Sequence, residues 1–240
     1  MSKKQKTGLY VTLFLLAFAL LIMLPGIRSA FADRIYGGDN GVSEVDMQTT
    51  ELKVSLLENG QAIGDGGVYS SLKNKKIDPG YTYSDSISAK NDGTMTEVVR
   101  VIVKKYWTDQ KGKRIDLDPA LIHLSYKGNA YNKTDWNLND AEHTPEQDVY
   151  YLSSALSAGG EKVLFDGIGI DSSVGGMYSI VPKKGEDNVL EAVYEYDSIT
   201  FVVVYEIQSV QLLGGTQAVV SAWGVTNVTV SDDGTVTVGE

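Results

Sequence analysis

Between Ile77 and Trp107 apolar residues recur at every second position, and that period constrains the chain more than any other feature. Tyr81, Tyr83, Ile87 and Ala89 alternate with Thr82, Ser84, Ser86 and Ser88, giving one apolar and one hydroxyl-bearing face. Val99, Val101 and Val103 then share a side, with Glu97, Val98, Arg100, Ile102 and Lys104 on and around the other. β-Branched residues at period 2 fit a pleated surface and crowd a helix. Asp78-Pro79-Gly80 and Asn91-Asp92-Gly93 carry turn chemistry. The pattern predicts strand, turn, strand: the central hairpin of an all-β domain.

The remaining segments extend that pattern. Thr50 to Leu57 alternates Leu52, Val54 and Leu56 as an inward row and ends at an Asn59-Gly60 turn. A short strand is predicted at Leu121 to Leu124. Val149 to Ala158 and Glu161 to Ile170 flank Gly159-Gly160 and read as a second hairpin. Ile199 to Val210 is apolar on both faces from Phe201 to Val204, which predicts a central strand. Thr216 to Trp223 breaks the alternation and predicts a short helix, with Thr216 as N-cap and Gly224 as the terminal glycine. Asn227 to Val238 reads as a hairpin about Asp233-Gly234, too poor in apolar mass to stand alone. It must dock on something.

The N-terminus reads as an export signal. Lys3, Lys4 and Lys6 precede an apolar run from Gly8 to Leu24, Pro25-Gly26 breaks it, and Ala30-x-Ala32 supplies the small-residue pattern of signal peptidase. Cleavage is expected between Ala32 and Asp33, so the membrane is engaged only through residues 1–32; the rival is an uncleaved anchor. Residues 33–45 form a Gly-rich polar leader whose large apolar groups are few, residues 46–226 the β-domain, and residues 227–240 a hairpin extension.

Removing 1–32 takes away four of the 21 Lys+Arg and none of the 31 Asp+Glu, leaving net charge −14 in place of −10. Such a chain repels nucleic acid and anionic membrane surfaces. It contains no Cys, so neither a disulfide frame nor a thiolate site is available. Stability must come from a core, for which about 200 residues suffice.

Motifs of chemistry are sparse. His123 and His143 lack a His-Glu-x-x-His pattern, and no nucleophile elbow or P-loop is present. Gly167-x-Gly169 lacks the rest of a dinucleotide fingerprint. Asp116, Asp118, Asp232 and Asp233 could be read as carboxylate pairs, but each sits among turn residues. Asp135, Asn137, Asn139 and Glu146 match part of a calcium loop, with Asp140 where that loop needs glycine. The polar stretch Gly128 to Gln147 is therefore expected to be a solvated loop. No catalytic, cofactor or metal residues are assigned. The 14 Tyr suit either a sandwich core edge or an interface.

In their order, several stretches resemble the TasA/camelysin family of exported proteins of spore-forming Gram-positive bacteria. They are the signal segment, Thr50 to Leu57, Ile77-Asp-Pro-Gly80, Ile87-Ser-Ala-Lys-Asn91-Asp-Gly93 and Val98-Val-Arg-Val-Ile102. Asp148-Val-Tyr-Tyr-Leu, Val163-Leu-Phe-Asp-Gly-Ile, Ile199 to Gln211 and Ser221-Ala-Trp-Gly224 continue the series. Ala158-Gly-Gly-Glu161 departs from the family's Pro-Gly-Glu turn, and nothing matches the chain after Trp223. The resemblance implies a jelly-roll-like antiparallel β-sandwich, secreted to the cell surface or biofilm matrix. It also implies self-association into fibres by donation of an N-terminal strand, alone or with other matrix or surface proteins. Ile35, Tyr36, Val42 and Val45 are then the candidate anchors of the donor strand. The family also supplies an enzyme reading, a surface metalloprotease, for which the sequence offers no ligand set. A third reading is a monomeric adhesin binding through Trp136 and its loop.

Overall fold

The computed structural model describes residues 51–63, 77–182, 190–194 and 199–239. Contacts divide the chain into Met1–Met47 and Gln48–Glu240, and everything described lies in the second unit. That unit is an all-β sandwich of antiparallel sheets. One sheet runs β2 (Gln61–Ala62), β1 (Val54–Glu58), β3 (Thr82–Asn91), β9 (Glu161–Ile170), β6 (Ile122–Ser125). The other runs β12 (Thr200–Gln211), β4 (Glu97–Thr108), β8 (Gln147–Leu152), β7 (Trp136–Leu138), with β5 (Arg114–Ile115) on the end of β4. β10 (Tyr178–Pro182) and β11 (Leu190–Tyr194) make a separate ribbon.

The two expected hairpins are not hairpins. β3 and β4 lie in different sheets, and so do β8 and β9. The alternation was read correctly; the connection was not. Asn91 supplies the reason. Its side chain is fully buried, donates from Nδ2 to the carbonyls of Met95 and Leu156 at 2.7 and 2.8 Å, and accepts from Gly93 N at 2.9 Å. Those bonds turn the chain out of the first sheet and into the second. Gly159 N also donates to the Asn91 carbonyl, and Asn91 N to that of Gly160, so the β8–β9 crossover is fastened to the same residue. A Cβ at Gly93 would stand 2.4 Å from the Glu51 carbonyl, so the corner also requires glycine. Asn91→Ala should destabilise the domain by about 2 kcal/mol, because two buried carbonyls lose a donor. Equilibrium unfolding in urea measures it.

Crossing from sheet to sheet between successive strands puts the core between the layers, as a jelly-roll-like sandwich requires. Val99, Val101, Val103 and Trp107 of β4 face Ile87 and Ala89 of β3 and Leu164, Phe165 and Ile168 of β9 in one buried cluster. Tyr150 meets Phe165 edge-on at 5.5 Å, and Trp107 meets Phe201 at 6.1 Å. Tyr150, Tyr151 and Tyr205 are all buried, so these tyrosines serve the core. Leu52 was expected in the inward row of β1 but is 46% exposed; the row is Val54, Leu56 and Glu58 instead.

A second cluster covers the outer face of the β4 sheet. Val98, Val149, Tyr151 and Val210 pack beneath helix α1 (Gly215–Trp223) and the hairpin of β13 (Val228–Val230) and β14 (Val236–Val238). This is the docking surface that the terminal hairpin needed. The helix ends at Gly224 in the left-handed region, φ 72°, as the sequence predicts. Its start differs: Gly214 is the N-cap, and the Thr216 hydroxyl accepts from Val230 N at 2.8 Å. The expected cap instead ties the helix to β13.

Candidate functional site

The two sides of the β4 sheet end differently. On the β7 side, β7 is the edge strand and the terminal hairpin pairs with the chain just beyond β8. Ala155 N donates to Gly234 O at 2.7 Å and Val236 N to Ser153 O at 2.9 Å, so β14 continues the line of β7 along the chain leaving β8. Asn137 Nδ2 reaches Val236 O at 3.2 Å, and Asn227 and Asn139 exchange side-chain hydrogen bonds. The cover is pinned through Arg100. Its guanidinium stacks on Trp223 at 4.5 Å and donates to Gln208, Glu142 and the Tyr151 hydroxyl. Burial pushes the Tyr151 hydroxyl up to about 12, the Glu142 bond adding to the effect and Arg100 opposing it.

On the other side lies β12, and this corrects the expectation of a central strand: β4 is central and β12 is at the edge. All twelve β12 residues pair in unbroken register with β4, from Thr200↔Thr108 to Gln211↔Glu97. No strand pairs with its outer side among the described residues. Edge strands are ordinarily guarded by Pro, Lys, a bulge or shortness. β12 has none of these; its single charge is Glu206. Val202 and Val204, on the face opposite buried Val203 and Tyr205, are half-exposed. The tract that is apolar on both faces therefore lies on a long edge strand without a bulge.

Behind that edge the core turns polar. Glu58, Asp85 and Tyr205, from β1, β3 and β12, are all buried. Burial pushes the Asp85 carboxyl up to about 6, with Glu58 adding to it and a 2.5 Å hydrogen bond from Asn59 Nδ2 opposing. Tyr205 is raised well above its usual range, chiefly by burial. Asp85 sits in the inward row Tyr83–Asp85–Ile87, so strict period 2 would have placed it inside.

The signal and donor residues Ala30, Ala32, Asp33, Ile35, Tyr36, Val42 and Val45 lie outside the described residues. His123 and His143 take separate carboxylates, Asp171 at 3.5 Å and Asp148 at 2.7 Å. Among the described residues no group of three or more His, Asp or Glu could hold a metal. Asp118 caps a 3₁₀ turn through Ala120 N, and Asp233 accepts from Thr235 N. The calcium-like spacing is dispersed. Asp135 pairs with Lys162, Asn139 caps the turn Asp140–Glu142, and Glu146 pairs with Arg114. Nor is the Gly128 to Gln147 stretch a solvated loop. It contains β7 and buries Trp136, Asn132 and Asn139, so Trp136 offers no binding surface. Gly169 serves packing: a Cβ there would stand 2.4 Å from the Tyr81 carbonyl. Arg100 and its partners carry no sequence signal, because they are a set of contacts spread over five elements.

No protein-family model, no curated protein and no solved structure matches this chain.

Proposed function

We propose that this protein is a secreted structural subunit of an extracellular fibre or surface layer, assembling when a strand from one copy adds to the β12 edge of the next. The observation that supports this reading is β12 itself, a twelve-residue strand paired on one side with β4 and, among the described residues, with no strand on the other. A row of unpaired N–H and C=O groups is a template for β-augmentation. One acceptor edge and a donor elsewhere make a heterologous contact, which propagates instead of closing. The donor is the leader, residues 33–45, with Ile35, Tyr36, Val42 and Val45 as its candidate anchors. The absence of cysteine and the acidic charge suit a soluble subunit that polymerises through backbone pairing.

Electron microscopy and sedimentation decide it, on the chain from Asp33 beside one from Val45. Filaments from the first and none from the second are expected. Val204→Lys, which places a charge on the open edge, should abolish filaments without unfolding the monomer. Filaments from both versions would keep the structural role and reassign the donor. If the Asp33 chain stays monomeric at high concentration, the fibre reading fails, and zinc content with chelator-sensitive proteolysis becomes the measurement for the enzyme reading.

A further inference from the structure

We propose that Lys162, Asn132 and Asp135 form a self-cross-linking site that joins Lys162 Nζ to Asn132 Cγ in an intramolecular isopeptide bond. Lys162 lies on β9 in one sheet, and Asn132 and Asp135 lie in the turn leading to β7 in the other. Asp135 holds the two reactants on its two oxygens. Lys162 Nζ sits 2.7 Å from Oδ1, and Asn132 Nδ2 donates to Oδ2 at 2.9 Å. Amine and carboxamide are thus held on the two oxygens of one carboxylate able to shuttle protons between them. A fourth group completes the set: Thr134 N–H donates to Asn132 Oδ1 at 3.3 Å, where an oxyanion would develop.

The electrophile is held rigidly. Asn132 is 3% exposed, its Nδ2 also donates to Val163 O, and its own N–H donates to Leu164 O. Its carbonyl accepts from Trp136 N at 3.0 Å, which closes the turn, and the Trp136 indole donates to the same Val163 carbonyl. The amine is at the rim, with the Lys162 side chain 40% exposed, so ammonia has a way out.

The atoms balance without an oxidant or co-reactant. Asp135 Oδ1 takes a proton from the Lys162 ammonium, and the free amine adds to Asn132 Cγ. The carbonyl oxygen becomes an oxyanion facing Thr134 N–H. Asp135 passes the proton to Nδ2, the Cγ–Nδ2 bond breaks, and the proton remaining on the new amide nitrogen leaves with ammonia as ammonium. An ammonium and a primary carboxamide have become a secondary amide and an ammonium ion, and Asp135 is again a carboxylate. Burial pushes the Asp135 carboxyl up, but the Lys162 and Asn132 hydrogen bonds outweigh it and hold it below the usual carboxylate range. The first proton transfer is therefore uphill, and the reaction quickens as pH rises. In a chain with no cysteine, this bond is a covalent tie between the sheets.

The test is intact mass and peptide mapping of the full chain, held for days at neutral pH and at about pH 9, near the lysine range. The expected result is a mass lower than the sequence by one ammonia, with a branched peptide joining the segments that carry Asn132 and Lys162. Lys162→Arg keeps the ion pair yet cannot form the amide, and it should retain its sequence mass, as should Asn132→Ala. Asp135→Ala should slow the loss by about tenfold or more. An unchanged wild-type mass after the alkaline incubation overturns the proposal. So does ammonia loss that maps to a succinimide at Asn40-Gly41 or Asn59-Gly60.

Discussion

Trp136→Ala should cost the folded domain about 3–5 kcal/mol. The indole is 1% exposed in the cluster between the sheets, and its Nε1 donates to Val163 O at 3.0 Å. Alanine would remove the ring, leave a cavity in that cluster, and take from the Val163 carbonyl the indole donor that acts beside Asn132 Nδ2. Domains of this size have about 5–15 kcal/mol in total, so the variant would be marginal. Trp136→Phe, which keeps most of the volume, should lose less than half as much. Urea unfolding followed by circular dichroism measures both. A loss under about 1 kcal/mol for alanine would mean the ring is not a core element and would reopen the adhesin reading.

Asp85→Asn should stabilise the protein at neutral pH, and the gain should vanish in acid. The Asp85 carboxyl rises from 3.8 to about 6 on folding, first through burial, then through Glu58 against the Asn59 hydrogen bond. A raised folded-state pKa means that the native chain holds a proton the unfolded chain has lost. Between about 3.8 and about 6, stability therefore falls as pH rises. Above that window the buried carboxylate is charged and costs about 1–2 kcal/mol, after allowance for solvent screening of a site near the strand end. Asparagine keeps an oxygen to accept from Asn59 Nδ2 and carries no charge. Comparing the two proteins at each pH cancels the titration of shared groups that do not interact with Asp85. A gain of equal size at acid and neutral pH would show that packing, not ionisation, sets the difference.

That carboxyl also shows how far a sequence can be read. Tyr83, Asp85, Ile87 and Ala89 share one face by period alone, and nothing but the polarity of Asp85 argued against counting it inside. What makes its burial tolerable is Asn59, far away in sequence and brought alongside by the pairing of Glu58 with Ile87. Polar residues inside a core are legible only as exceptions to a pattern. Their partners are not.

The sequence by itself determined the strands. Alternation fixed β3, β4 and β9, Asn59-Gly60 and Asp233-Gly234 fixed two turns, and Gly224 fixed the end of the helix. These are local: each rests on the φ/ψ preferences and side-chain period of a few neighbouring residues. Only the tertiary structure decided which strand pairs with which. Asn91-Asp92-Gly93 has the same turn chemistry whether the chain folds back in its own sheet or crosses to the other. The choice fell to Leu156 and Gly160, which meet Asn91 from the far side of the chain. Likewise Phe201 to Val204 is apolar on both faces in any setting, and only the pairing of β4 with β8 on its other side made β12 an edge. Strand order is set by contacts between residues far apart in sequence, and the local period that reveals a strand carries no information about them.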